Sequence, residues 1–161
     1  ASAAKGIGVI TTPETRWGRC DIKTVGLLPN LLAKQAAKDA GATEAWFVDA
    51  DGNVTEASSA NAWIVDADGV LRTRETTANI LRGITRTTLL EVLRTENLKV
   101  EQRPFTVAEA LGAREAFVSG AGGLIQPVVR IDGKPIGDGR PGPVATRLRA
   151  AYIETARRNA E

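Results

Sequence analysis

The 161-residue sequence contains no histidine and only one cysteine, Cys20. Without histidine, a His-based catalytic triad and a His-rich zinc site are both excluded. One cysteine can form neither an intrachain disulfide nor a Cys-rich zinc site. The covalent nucleophiles that remain are Cys20, a serine or threonine, or a lysine made reactive by its surroundings. No metal is expected.

Long apolar runs and strong net charge are missing as well. No segment approaches the roughly 20 apolar residues that span a bilayer, and residues 1–6 lack the apolar core of a signal peptide. Lys and Arg total 21 against 19 Asp and Glu, and no basic run alternates with aromatic residues as a nucleic-acid groove requires. We therefore expect a cytoplasmic protein that binds neither membranes nor nucleic acid.

The composition is that of an ordinary globular protein, with 43% hydrophobic and 25% charged residues. This length suits one domain with a real core, here residues 1–161. The chain starts without methionine and reaches a strand-like run, residues 8–12, almost at once. We expect it to be part of a longer protein.

The first third of the chain predicts a strand, a loop and a helix. The strand covers residues 8–12 and is broken by Pro13, and a short extended stretch over residues 16–23 follows. Pro29 then suits the first turn of a helix that Gly41 ends, with apolar spacing through Leu28 and Leu32. Lys23 should thus lie near a strand-to-helix junction.

Two Asp-Gly pairs, 51–52 and 68–69, lie between apolar runs and predict two hairpins. Calcium binding by Asp49 and its neighbours is disfavoured, because the loop lacks glycine at its sixth position and glutamate at its twelfth.

Strands and helices alternate in the second half. Thr85 is the expected N-cap of a helix that runs from Ile84 to Leu98, and Thr106 with Glu109 forms a capping box. The other predicted elements are strands at 99–103 and 115–119, a ribbon over 128–136 that turns at 132–133, and a helix over 144–157. The fold class is a mixed α/β domain.

Lys23 and Glu56 are the candidate reactive residues. Lysine is scarce, with six copies against fifteen arginines, and Lys23 is a lone cation in an apolar stretch. Such a position is costly unless the amine is paired or used covalently, so either a functional role or an ion pair with Asp21 explains it. Glu56 lies among small polar residues that leave room for a ligand, although an ordinary loop capped by Ser and Asn side chains has the same composition.

Two glycine-containing turns could hold a phosphate. The Gly-rich run 119–123 is no dinucleotide fingerprint, because position 125 is not glycine and the following residues read as extended. The helix start at 83–85 and the turn at Gly120 and Ala121 still offer free backbone N–H groups.

Three segments in order, Arg16–Lys23 (RWGRCDIK), Val54–Asn61 (VTEASSAN) and Leu81–Arg86 (LRGITR), resemble the class IV aminotransferases. These are fold-type IV pyridoxal-phosphate enzymes, and the resemblance covers essentially the whole chain. It implies the family's larger C-terminal domain, a mixed sheet or pseudo-barrel with surrounding helices. Pyridoxal 5'-phosphate is the cofactor implied.

The resemblance also implies residue roles. Lys23 matches the Schiff-base lysine, Glu56 the carboxylate that pairs with the pyridine nitrogen, and Leu81 the side chain packed on the ring. Ile84 and Thr85 match the phosphate cradle. The remaining cofactor-binding residues implied by the resemblance are Ser59, Asn61, Gly83, Gly120 and Ala121.

Within the family, the segment from Arg16 to Leu28 looks most like D-amino-acid transaminases. The expected reaction transfers an amino group from an amino acid, most readily a D-amino acid, to a 2-oxo acid. Branched-chain and (R)-amine transaminases, aminodeoxychorismate lyases and a non-catalytic fragment are the alternatives. The resemblance further implies a homodimer. The family's smaller N-terminal domain has no counterpart here. We expect either a truncated or cleaved product, or a missing segment that is a separate or unseen chain.

Overall fold

A computed structural model describes residues 2–158, which form one mixed sheet of nine strands surrounded by five helices. The strands are β1 Ile7–Pro13, β2 Glu44–Val48, β3 Val54–Ala57, β4 Asn61–Val65, β5 Leu71–Thr73, β6 Val100–Gln102, β7 Glu115–Gly120, β8 Leu124–Ile131 and β9 Lys134–Pro135. The helices are α1 Ser2–Lys5, α2 Leu28–Asp39, α3 Ile84–Thr95, α4 Val107–Leu111 and α5 Pro143–Arg158.

The strands follow the order β3-β2-β1-β8-β7-β4-β5-β6, and β9 pairs with β8. Strand β1 is parallel to both neighbours and β5 is parallel to β6, whereas the other pairs are antiparallel. The mixed sheet predicted from the sequence is confirmed, as are both Asp-Gly hairpins, β2–β3 and β4–β5.

The two ends of the sheet approach each other. The segment after β6 reaches β3, where the Val54 N–H donates to the Phe105 carbonyl at 2.9 Å and Asn53 forms an isolated bridge with Thr106. The sheet is therefore a half-barrel, in agreement with the expected pseudo-barrel.

The core lies on both faces of this curved sheet. On the inner face, Trp46 meets Phe105 edge to face, with ring centroids 6.2 Å apart. On the outer face, Trp63 stacks on Phe117 at 5.5 Å beneath α3 and α5. Because neighbouring residues of a strand point to opposite faces, a strand buried on both sides is apolar throughout. Strand β4 shows this from Ala62 to Val65, since all five of its residues are buried and only Asn61 is polar.

The helix ends follow local rules, with two corrections. The capping box of Thr106 and Glu109 is confirmed at the start of α4. The N-cap of α3 is Gly83 and not Thr85, which lies inside the first turn. Helix α3 also ends at Thr95, before Leu98, because Asn97 adopts a left-handed conformation and the Leu98 N–H turns back to the Leu93 carbonyl.

The predicted extended stretch over 16–23 is wrong, since this segment forms bends and turns in a loop between β1 and α2. Helix α2 itself is confirmed, but its apolar spacing does not mark the core. Leu28 and Leu32 are 66% and 63% exposed, and the residues that pack on the sheet are Ala33 and Ala37.

Asp49, considered above for calcium, caps its own turn. Its carboxylate accepts the N–H groups of Asp51 and Asn53 and pairs with Arg74 at 2.9 Å. Within residues 2–158, no group of three or more acidic or cysteine side chains could hold a metal ion. In the same part of the chain, no helix has both the length and the hydropathy needed to cross a bilayer.

Candidate functional site

Glu56 is the centre of a buried polar cluster at the end of β3. Only 6% of the residue is exposed, and its carboxylate accepts hydrogen bonds from three directions. The donors are the Arg16 guanidinium, the Asn61 side-chain amide at 3.1 Å and the Leu81 N–H at 3.2 and 3.3 Å. Three of the predicted site residues therefore meet here.

Asn61 joins this cluster to the start of α3. Its amide donates both to Glu56 and to the Leu81 carbonyl, the latter at 2.9 Å. Gly83, the N-cap of α3, packs so closely on the Asn61 side chain that a Cβ at position 83 would overlap the amide oxygen. Asn61, at the start of β4, thus fixes the position of the segment 81–83.

Arg16 reaches Glu56 from the loop after β1. Its guanidinium also binds Glu14 through two nitrogens, at 2.8 and 2.6 Å, and donates to Thr55 and the Asn79 carbonyl. The group lies over the Phe47 ring at 4.5 Å, a favourable cation–π geometry, and its side chain is 4% exposed. Arg16 is therefore a fixed part of the site.

One buried cation faces two carboxylates in this cluster. Burial raises the pKa of Glu14, but the hydrogen bond and the charge of Arg16 outweigh burial and lower it. Glu56 is buried more deeply, and burial raises its pKa to about 7 although Arg16 and the Leu81 N–H oppose this. Because a single guanidinium cannot neutralise both acids, Glu56 is left short of a positive charge.

The first turn of α3 has free hydrogen-bond donors. The N–H groups of residues 84–86 have no acceptor among residues 2–158, and neither does the Thr85 hydroxyl. Helix α5 shows the alternative, since its Val144 and Ala145 N–H groups both donate to the Glu115 carboxylate at 2.9 Å. An external anion at α3 could take the place that Glu115 takes at α5.

The second predicted phosphate turn lies against the β3–β4 connection. A Cβ at Gly120 would come within 3.0 Å of the Ala60 Cβ and 3.1 Å of the Ser59 carbonyl oxygen, so the two chain segments are packed tightly. Ala121 follows at the surface. The two glycines thus lie close to the β3–β4 hairpin, Gly83 against Asn61 and Gly120 against Ser59 and Ala60.

Lys23 lies on the same loop as Arg16 but outside the buried cluster. It is exposed and forms no hydrogen bond or ion pair with any residue from 2 to 158. The apolar setting predicted for it is wrong, because its neighbours Ile22 and Val25 are themselves 43% and 98% exposed. The ion pair with Asp21, one of the two explanations considered for Lys23, is not formed, since Asp21 binds Arg19. The loop does contact the segment before α3, through the Asp21 N–H and the Ala78 carbonyl at 3.3 Å.

The side chains of two predicted residues take no part in the hydrogen bonds of the cluster. The Ser59 hydroxyl donates to Glu44 at 2.8 Å, which in turn binds Lys34 of α2, so Ser59 helps to hold α2 on the sheet. Ile84 is 71% exposed, and its backbone N–H is one of the free donors of the first turn of α3.

Sequence reasoning assigned no role to Glu14 or Arg16. A signal was available, because two opposite charges two residues apart directly follow the end of a strand. Side chains at such strand ends reach neighbouring strands, and here they meet Thr55 and Glu56 of β3.

The site can therefore hold an anionic group at the first turn of α3 and a cationic group at Glu56. A ligand that carries a phosphate and a protonated ring nitrogen has both. Lys23 adds an amine on an adjacent loop.

Comparison with known proteins gives a family match. The family model for amino-transferase class IV matches residues 4–131. The D-alanine aminotransferase of Bacillus licheniformis is 39% identical over 146 residues, which is 91% of this chain and 51% of that protein. That of Staphylococcus aureus (strain N315) is 37% identical over 153 residues, 93% of this chain and 54% of that protein.

Solved structures show the same pattern. The T.th. branched-chain amino acid aminotransferase complexed with N-(5'-phosphopyridoxyl)-L-glutamate superposes with a TM-score of 0.86 at 35% identity, covering 94% of this chain and 52% of that one. The PLP-form enzyme from Thermobaculum terrenum gives 0.87 at 30% identity, covering 93% and 50%. The chain spans about half the length of the relatives it matches.

Proposed function

Because the chain belongs to the class IV aminotransferases, we propose that it is the cofactor-binding part of a pyridoxal-phosphate transaminase. The reaction is transfer of an amino group between an amino acid and a 2-oxo acid. The D-alanine aminotransferases at 37–39% identity support this, and so do branched-chain relatives with PLP-form structures.

The observation that carries the proposal is the buried Glu56 carboxylate, which shares its one contacting cation, Arg16, with Glu14. It lies beside a helix start whose N–H donors are free. The donor set fits pyridoxal phosphate at both ends. Glu56 would accept a hydrogen bond from the protonated ring nitrogen, and the N–H groups of residues 84–86 with the Thr85 hydroxyl would bind the phosphate. Gly120 and Ala121 would add backbone donors.

When bound, pyridoxal phosphate supplies the electron sink that stabilises a carbanion at the substrate α-carbon. Glu56 holds a proton at the ring nitrogen, because a buried carboxylate favours the cationic form of a neighbouring base. Lys23 would hold the cofactor through its amine, and once the substrate amine has taken that place the freed Nζ would move the proton to and from the α-carbon. Asn61 and the Leu81 N–H keep the Glu56 carboxylate in a fixed orientation.

Lys23 is tested by chemical trapping. We expect borohydride reduction of the 161-residue chain with pyridoxal phosphate to label the peptide around Lys23, and the label to disappear in Lys23→Ala. Lys34→Ala is the matched control, since the Lys34 amine already pairs with Glu44 at 2.8 Å, and it should keep the label. Equal labelling of Lys34, Lys38 and Lys134 would show non-specific adducts and contradict the assignment.

The substrate is tested by comparing amino donors. D-alanine is the donor we propose, with 2-oxoglutarate as acceptor, because the D-alanine aminotransferases match over more than nine-tenths of this chain. L-leucine is the second candidate, favoured by the 0.86 TM-score with a branched-chain enzyme. The chain should be assayed alone and within the longest natural protein that contains it. Turnover of neither donor in either form would exclude the proposed reaction.

Assembly and location are further parts of the proposal. A cytoplasmic location is supported by the single cysteine, and a homodimer by the family resemblance alone. Light scattering on the purified chain measures its mass directly, and a mass near 17.0 kDa would contradict a dimer of this chain.

A further inference from the structure

Glu14 and Arg16 form a two-point ion pair with each other, in addition to the contact between Arg16 and Glu56. Two nitrogens of the guanidinium bind the two oxygens of Glu14, at 2.8 and 2.6 Å. This two-point contact orients the plane of the guanidinium, and Thr55 and the Asn79 carbonyl bind it from the sides. The remaining nitrogen, Nη1, is directed at Glu56.

We propose that Glu14 and Arg16 act together as a positioning unit, which fixes the Glu56 carboxylate and leaves it the charge deficit that attracts the protonated ring nitrogen of the cofactor. The inference rests on the proposed function and adds two residues to its site. Glu14 shares the positive charge of Arg16, so Arg16 orients Glu56 while offsetting only part of its negative charge.

Charge counting in the buried cluster supports this. Two carboxylates and one guanidinium sum to one negative charge, and one more cation makes the cluster neutral. Uncompensated charge in a buried site is costly, so the cluster either takes up a proton or binds a cation. In the cofactor-free chain the proton binds to Glu56, because burial raises the pKa of this carboxyl to about 7.

Other ionisable groups near Glu56 do not alter this count. Cys20, on the same loop, is a neutral thiol because burial raises its pKa. Arg86 of α3 is a second cation in the neighbourhood, but its guanidinium binds Thr76, the Arg74 carbonyl and Gln102. Arg16 is the cation that contacts Glu56 directly.

The two members of the unit should act on Glu56 in opposite directions. In Arg16→Gln, Glu56 loses its cation, and its pKa should rise by about 1 to 3 pH units. In Glu14→Gln, Arg16 loses its other carboxylate, and the pKa of Glu56 should fall. A purely structural role for the pair would move both variants in the same direction, through loosening of the loop.

The experiment is carbon NMR titration of the cofactor-free 161-residue chain labelled at the glutamate side-chain carboxyl, with the Glu56 signal assigned from Glu56→Gln. Arg19→Gln is the matched control, because Arg19 pairs with Asp21 at the surface of the same loop. It should leave the Glu56 titration unchanged. Opposite shifts in Arg16→Gln and Glu14→Gln support the proposal, and shifts of the same sign or none overturn it.

A second titration adds pyridoxal phosphate to the unchanged chain. We expect bound cofactor to lower the pKa of Glu56 by more than one pH unit, and bound cofactor without this shift would overturn the proposal. If the chain binds no cofactor, the proposed function fails, whereas the opposite shifts in the cofactor-free chain still decide how Glu14 and Arg16 act. If Arg16→Gln does not fold, the lower Glu56 pKa expected in Glu14→Gln tests the proposal by itself, and an unchanged or higher pKa there overturns it.

Discussion

Glu56 combines deep burial with a full set of donors, and this determines how its ionisation is linked to folding. The unfolded chain releases the proton near the usual glutamate value of 4.5, whereas the folded chain keeps it to about pH 7. The folded state therefore binds more protons between these values, and its stability must fall as pH rises through that range.

We expect the free energy of unfolding of the cofactor-free chain to decrease between pH 5 and pH 8, with a contribution from Glu56 of up to about 3 kcal/mol. Few other groups contribute to the change in the free energy of unfolding in this pH range, because the chain has no histidine. The acids whose pKa is lowered titrate below this window, and they are Glu14, Asp21, Asp49, Glu101 and Glu109. Urea unfolding across the pH range measures the effect, and Glu56→Gln should flatten it. An equally steep slope in Glu56→Gln would contradict the link.

Two helices show that the same apolar spacing can have different meanings. Helix α3 buries Leu89 and Leu93 in the outer-face core under α5. Helix α2 instead packs through alanines and leaves Leu31 and Leu32 about two-thirds exposed. Polar contacts also attach this helix to the sheet: Asn30 donates to the Ser58 carbonyl, and Lys34 donates to Glu44.

This contrast predicts that leucine-to-alanine substitutions in the two helices lower the free energy of unfolding by different amounts. Leu89→Ala should lower the free energy of unfolding by about 2–5 kcal/mol, because it leaves a cavity in a fully buried position. Leu32→Ala should change it by no more than about 0.5 kcal/mol, because an exposed side chain loses little burial. Urea denaturation of the two variants of the 161-residue chain compares them. A cost above about 1.5 kcal/mol for Leu32→Ala would show that α2 packs differently in solution.

At the scale of the whole molecule, closure of the half-barrel depends on a contact that is remote in sequence. Phe105 is fully buried against Trp46, and its carbonyl accepts the Val54 N–H from the opposite end of the sheet. Strand β3, which begins at Val54, also carries Glu56. The packing that closes the sheet therefore helps to place the site.

We expect Phe105→Ala to lower the free energy of unfolding by about 3–5 kcal/mol and to speed hydrogen exchange at the Val54 amide. Phe105→Leu keeps most of the volume and should cost clearly less. Hydrogen exchange followed by NMR at pH 5, where Glu56 is protonated in the folded chain, measures both variants. Unchanged protection of Val54 in Phe105→Ala would show that the edge contact is held by the backbone alone.

The sequence by itself determined the features that depend on neighbouring residues. Hairpin turns at Asp-Gly pairs, the Thr106 capping box and the stop at Gly41 follow from local backbone preferences, and all are present. The motifs around Lys23, Glu56 and Leu81 also identified the family. Glu56, Asn61, Leu81 and Gly83 were predicted as site residues, and they do lie together.

Only the tertiary structure decided which side chains are buried and which charges meet. The burial of Leu32 and the apolar setting of Lys23 were misread, because periodicity and apolar neighbours do not reveal whether another element covers a surface. Arg16 and Glu14 gained their role because β1 and β2 pair in parallel and β2 pairs with β3, which brings the loop after β1 to Glu56 across 40 residues of chain. Burial and charge balance depend on all the groups around a site, and only folding brings those groups together.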